Sequence, residues 1–155
     1  MDNFKKYSGL IGWIVLCATA AIIGAYFEPG SWYQTIAKPS FTPPNWLFPV
    51  VWPILYVCMG VAAWLIWKDY GFSESRRALK WIGLQLVLNT GWSWLFFGRH
   101  AVGTALGEIM LLWIAILFTI FLFYQKNKIA GWLMVPYILW VSYALALNFV
   151  IWQLN

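Results

Sequence analysis

The residues with chemistry to offer in this chain are mostly flat and apolar, with a few carboxamides among them. It carries 13 tryptophans in 155 residues, but only one histidine, two cysteines and five acidic residues. That inventory supplies no acid–base pair, no activated nucleophile and no cluster of metal ligands, so no catalytic residue and no metal site is expected. What it can do is grip. An indole presents a large apolar face for stacking, and a carboxamide fixes orientation by donating and accepting hydrogen bonds. Trp52, Asn89 and Trp140 are the residues whose spacing favours that use.

Membrane helices must position them. Apolar residues make up 63% of the chain and charged residues 10%, against roughly 45–50% and 25% in a soluble domain. A helix needs about 20 mostly apolar residues to cross the hydrocarbon core. Five stretches qualify, at about 7–27, 43–67, 80–98, 101–125 and 129–153. The first is too long for the apolar region of a signal peptide, and Gly24-Ala25-Tyr26 is a poor cleavage site. The expected fold is therefore all-α and integral to the membrane: a single five-helix transmembrane bundle over 1–155, with no internal repeat. Neighbouring spans alternate in direction. Trp52 then lies about 13 Å below the outer start of its span, Asn89 about 15 Å below Arg99, and Trp140 about 16 Å from the opposite face. In a core near 30 Å thick all three share mid-depth, where indoles make poor interfacial anchors. Two flat walls and one hydrogen-bonding group at one level describe a pocket.

Other polar residues are open to two readings. Asn89 and Ser93 share a helix face at a spacing of four, and Ser142 and Asn148 lie within the fifth span. Such residues mark sites, or they supply interhelical hydrogen bonds averaging roughly 0.6 kcal/mol. Gly83 and Gly91 have the spacing of a close-packing helix face. Glu108 enters the fourth span near its outer end, and His100 stands alone in an outer turn, weak support for ligation of haem iron.

The connection 28–42 is longer than the 2–8 residues usual between neighbouring helices and keeps Trp32, Tyr33, Ile36 and Phe41. It reads either as a surface loop with interfacial anchors or as a lid over the outer mouth of the bundle. Thr42 suits an N-cap and Pro43 the first helical position. Pro49 and Pro53 each delete a backbone donor and predict a distorted outer half of the second helix. The connections at 68–80 and 126–129 are short and polar.

Charge sets the expected orientation. With a cytoplasmic N-terminus, Lys5, Lys6, Lys68, Arg76, Arg77, Lys80, Lys126 and Lys128 fall inside and only Lys38 and Arg99 outside, a positive-inside bias that puts the C-terminus outside. Anionic membrane lipid, rather than nucleic acid, is the expected partner of the basic balance. Cys17 and Cys58 read as apolar fillers within spans.

The motifs then point to a family. The run Trp32-Tyr33, Lys38-Pro39, Pro43-Pro44, Trp46, Pro49, Trp52, Leu55-Tyr56, Met59-Gly60 resembles the TspO/MBR family, the tryptophan-rich sensory proteins and translocator proteins (in mitochondria, the peripheral benzodiazepine receptor). Asn89, Trp92-Ser93 and Phe96-Phe97 agree, as do Pro136-Tyr137, Trp140, Ala144, Leu147-Asn148 and Trp152. The resemblance implies a homodimeric five-helix bundle in a bacterial cell membrane. It implies a pocket under the long loop that binds porphyrins such as protoporphyrin IX, haem-related tetrapyrroles and benzodiazepine-type drugs as ligands, with no cofactor required. Positions matching Trp52, Asn89 and Trp140 contact ligand in that family, and Ala144 matches a position whose size matters. Trp32, Trp92, Ser93 and Asn148 join them as expected contacts, with Lys38 a cation for a porphyrin propionate or simply a solvated loop charge. The tryptophans matching Trp52 and Trp140 are tied to light- and oxygen-dependent porphyrin breakdown in some members. Such breakdown, or a lipid-interacting scaffold without a dedicated ligand, is the alternative to a receptor or translocator.

Overall fold

The computed structural model describes residues 3–27 and 29–155, with side chains from Lys6 onward. Glu28, which bounds the predicted first span and opens the predicted lid, lies outside the described residues, as does the side chain of Lys5 from the basic set. Every regular element among the described residues is helical: α1 (Asn3–Ala25), α2 (Ser31–Thr35), a 3-10 turn (Asn45–Leu47), α3 (Phe48–Ser93), a π-turn (Trp94–Gly98), α4 (Val102–Lys126), α5 (Lys128–Leu133) and α6 (Val135–Leu154). Four helical stretches are long and apolar enough to cross a membrane: Lys6–Ala25, Asn45–Gly98, Val102–Lys126 and Lys128–Leu154.

The second of these has 54 residues and would run about 80 Å if straight. It reverses instead at Gly71, whose φ of 66° and ψ of −179° are open to glycine and avoided by residues with a Cβ. Ser75 Oγ donates to the Ile66 carbonyl across the turn, and Tyr56 reaches Asn89, so the two limbs of α3 lie antiparallel. This corrects the polar connection expected over 68–80. Glu74, Arg76, Arg77 and Leu79 are good helix formers; their polarity takes them out of hydrocarbon, not out of the helix.

The start of α3 is also corrected. Pro44 is extended, with ψ of 145°, and Thr42 Oγ1 donates backwards to the Pro39 carbonyl at 2.8 Å rather than capping a helix. A proline following Pro43 drives that residue out of helical geometry, which delays the helix to Asn45. Pro49 then falls in the first turn of α3, where its missing N–H costs nothing, and only Pro53 stands in the helix interior. The last predicted span, 129–153, is two helices. Pro136 stands in the first turn of α6 and Met134 marks the break, while the Asn127 side chain accepts from the Ile129 and Ala130 amides to start α5.

The interior is built from small and aliphatic residues of every long helix, with Met59, Ala62, Ala63, Ile66, Ile82, Ile109 and Ile116 fully or almost fully buried. Gly60 lets α1 approach closely: a Cβ there would lie 2.8 Å from Ile14 Cα. Gly83 and Gly91 do not pack this way within the chain. A Cβ on Gly83 would meet nothing within 4 Å, and one on Gly91 only Glu108 Oε1 at 3.7 Å. Large apolar side chains such as Ile11, Ile54, Val87, Leu111 and Leu139 face outward, as suits a surface solvated by acyl chains. Cys17 and Cys58 are free thiols.

The two ends differ. At one, Tyr70 Oη donates to the Lys126 carbonyl at 2.7 Å and Asn127 Nδ2 to Asp69 at 3.2 Å, so the Gly71 turn and the α4–α5 junction lie together with most of the basic residues. At the other, α2 is pinned over the helix ends. Tyr33 is buried edge-on against Phe96 and Phe97. The Asn155 carboxamide both accepts from the Ala37 amide and donates to its carbonyl at 3.0 Å, and Tyr143 Oη donates to the Phe41 carbonyl at 2.5 Å.

Candidate functional site

Trp52 stands one turn inside the Pro49 start of α3, and Tyr56 follows on the same face at i+4. Their rings stack at 5.5 Å and 28°. Asn89 comes from the other limb and is 3% exposed. Its Oδ1 accepts from Tyr56 Oη at 2.6 Å and its Nδ2 donates to Tyr137 Oη at 3.0 Å. Trp140, one turn beyond Tyr137 on α6, meets Trp52 edge-to-face at 6.5 Å and 84°. Trp52, Asn89 and Trp140 are thus drawn to one level by elements far apart in sequence. Between them lie two tyrosines, Tyr56 and Tyr137, that hold the amide on both sides. No hydrogen bond engages the indole N–H of Trp52 or Trp140 among the described residues.

Beside this tier a cleft of about 610 Å³ opens between the start of α3 and α6. Leu47, Val51 and Ile54 form one wall, Pro136, Leu139 and Trp140 the other, and Tyr143 closes the end under the loop. It is an open groove, since Ile54 and Leu139 in its walls are exposed on the outer surface of the bundle, and its volume falls within the small-molecule range. Its lining is almost wholly apolar, so it would hold a flat hydrophobic body by area and stacking and leave charged groups outside. Trp140 lines the cleft directly; Trp52 and Asn89 stand behind it. Ala144, one turn further along α6, packs on the core next to this region.

The remaining predicted contacts form a second tier nearer the loop. Trp92 Nε1 donates to Asn148 Oδ1 at 3.0 Å, and Asn148 Nδ2 donates to the Val102 carbonyl at 2.9 Å, so one carboxamide ties α3, α4 and α6 together. Trp92 stacks on Phe96 at 5.1 Å. Trp32 meets Phe96 edge-on and stacks on His100 at 4.2 Å and 11°. Ser93 Oγ reaches back to the Asn89 carbonyl at 3.4 Å. Lys38 Nζ donates to the Tyr33 carbonyl at 2.6 Å and lies 4.5 Å over the Tyr33 ring. Burial, and after it the nearby Tyr143 phenol, raises the pKa of Tyr33 above the ordinary tyrosine range. Ser142, flagged with Asn148 as polar at membrane depth, accepts from Trp113 Nε1 at 2.8 Å, an interhelical bond of the plain kind.

Tyr56 and Tyr137 belong to the family motifs, and each sits within one helical turn of a predicted indole, a spacing that also marks them as site residues. Two further polar groups are buried. Gln85, one turn below Asn89, and the Glu108 carboxylate have buried side-chain atoms without hydrogen-bond partners among the described residues.

Comparison with known proteins agrees with the motifs. The model of the TspO/MBR family matches residues 13–153. The chain is 44% identical to the tryptophan-rich protein TspO of Chlorobaculum tepidum over 146 residues, 92% of each chain. It is 39% identical to protein CrtK of Rhodobacter capsulatus, over 92% of this chain and 90% of that one. It is 34% identical to the human translocator protein, over 94% of this chain and 89% of the relative.

Proposed function

Since this chain belongs to the TspO/MBR family and is an integral membrane protein by its apolar helices, we propose that it is a receptor or translocator for porphyrins. Protoporphyrin IX and haem-related tetrapyrroles would be its physiological class of ligand, and benzodiazepine-type drugs would share the site. One observation carries the reading: Trp52 and Trp140 meet at right angles beside an apolar cleft of drug-sized volume. A porphyrin is a broad planar π-system, and each aromatic contact adds roughly 0.5–1.5 kcal/mol beyond burial. Asn89 acts through Tyr56 and Tyr137 and holds the wall in shape. The propionates stay at the mouth, near Lys38.

The reading includes a topology. The limbs of α3 count as two crossings, making five in all, and the loop with α2 serves as the lid. The basic Gly71 end faces the cytoplasm of a bacterial cell, and the protein works as a homodimer. Saturable quenching of tryptophan fluorescence by protoporphyrin IX tests it. Trp140→Phe and Asn89→Ala are expected to lose that saturation while staying folded by circular dichroism. Saturation unchanged in both variants would move the ligand elsewhere.

A further inference from the structure

A second hollow, of about 500 Å³, lies at the basic end of the molecule between α1 and the second limb of α3. Trp13 and Leu16 wall it from α1, and Leu79 and Ile82 from α3, with Phe72 6.1 Å from Trp13 at one side. Its floor at Gly83 is open, since a Cβ there would meet nothing within 4 Å. The groove is therefore greasy towards mid-membrane and charged at its rim, where Ser73, Arg76 and Lys80 line it.

The rim charges carry the argument. Arg76 and Lys80 are four residues apart on one helix face, and both are exposed. Neither has an ion-pair partner among the described residues, where Lys68–Asp69 is the pair found. Glu74, the nearest acid in sequence to Arg76, does not line the groove. Two unpaired cations above an apolar trough match one chemistry: an anionic headgroup carrying an acyl chain. An arginine guanidinium takes two phosphate oxygens at once, and a lysine adds a point charge. About 10 Å of helix separates Arg76 from Gly83, so a phosphate at the rim leaves its chain running down the trough. A second copy of this chain docked here by two-fold symmetry would bring a second Arg76 and Lys80 into the same interface, adding like charge without a counter-charge.

We propose that this groove is a binding site for one anionic phospholipid of the leaflet at the Gly71 end, its phosphate on Arg76 and Lys80 and one acyl chain along Trp13, Leu79 and Gly83. Native mass spectrometry of the full chain, offered palmitoyl-oleoyl phosphatidylglycerol or the phosphatidylcholine with the same chains, tests it. The intact protein is expected to retain one phosphatidylglycerol with about tenfold preference. The double variant Arg76→Gln/Lys80→Gln is expected to bring the two lipids to parity, and Arg77→Gln/Lys128→Gln, an equal charge loss away from the groove, to keep the preference. Gly83→Leu fills open space with a better helix former, so it is expected to fold and to lose both lipids together. Circular dichroism checks folding in every variant. Equal retention of both lipids by the intact chain, or a preference lost equally in both double variants, would overturn the proposal. So would lipid retention unaltered by Gly83→Leu, or a change from one oligomeric mass to another in that variant, which would give the groove to a second copy.

Discussion

Two tiers of this bundle are made of the same materials. Each sets a buried asparagine among indoles and aromatic rings. In the upper tier Asn148 spends its carboxamide on Trp92 and on the Val102 carbonyl. In the lower tier Asn89 is satisfied by two tyrosine hydroxyls, and the indole N–H groups of Trp52 and Trp140 stay uncommitted among the described residues. The upper tier commits its indole to the amide; the lower one borders the cleft along Trp140. The difference teaches that an aromatic–amide cluster in a membrane protein is not a site by composition. What the lower tier adds is an amide satisfied by something other than the indole, and a ring that faces a space.

If that contrast is right, the largest effect on binding comes from truncating the lower tier. Trp52→Ala/Trp140→Ala is expected to weaken protoporphyrin IX by roughly a hundredfold, from two aromatic contacts of up to about 1.5 kcal/mol each beyond burial, read by absorbance titration of the porphyrin on protein shown to be folded by circular dichroism. A tenfold loss or less would place the ligand outside the cleft. Next, Asn148→Ala leaves the Trp92 N–H and the Val102 carbonyl without their partner. A loss of about 1–3 kcal/mol in unfolding free energy is expected, with porphyrin affinity of the folded fraction kept within about threefold, since RT ln 3 is under 1 kcal/mol. A binding loss as great as that of the lower-tier variant would erase the contrast.

Smaller changes sharpen it. Tyr56→Phe/Tyr137→Phe strips the hydroxyls from Asn89 and is expected to cost about 1–2 kcal/mol of stability, two bonds' worth by the membrane average. Porphyrin affinity should fall with it, because Asn89 then has no fixed orientation; affinity unchanged would make the amide a packing group. Smallest is Lys38→Gln. It is expected to weaken the dicarboxylate porphyrin several-fold while a neutral benzodiazepine-type drug binds as before. Equal loss for both would assign Lys38 to the loop itself, through its bond to the Tyr33 carbonyl.

The legible parts of this fold were those set by solvent. Apolar runs placed the helices, because hydrocarbon admits backbone only when its hydrogen bonds are internal. Helix rise by itself puts Trp52, Asn89 and Trp140 at one level. What misled was the reading of polarity as loop: 68–80 is helix on either side of Gly71, because leaving the hydrocarbon removes the need for apolar residues and not the propensity for helix. Pro43 does not start the helix for a local reason, since the proline after it disfavours helical geometry.

Depth along an axis is a one-dimensional quantity that a sequence carries in full. The amino-acid order therefore determined the class, the apolar stretches and the level of the indoles. Azimuth is different, because it depends on how each helix is rotated and tilted against neighbours whose contacts are remote in the chain. Only the packed bundle decided that Tyr56 and Tyr137 stand between the indoles and clasp Asn89, and that Trp92 is tied to Asn148. It also decided that the hollow lies beside Trp140 rather than around all three predicted residues.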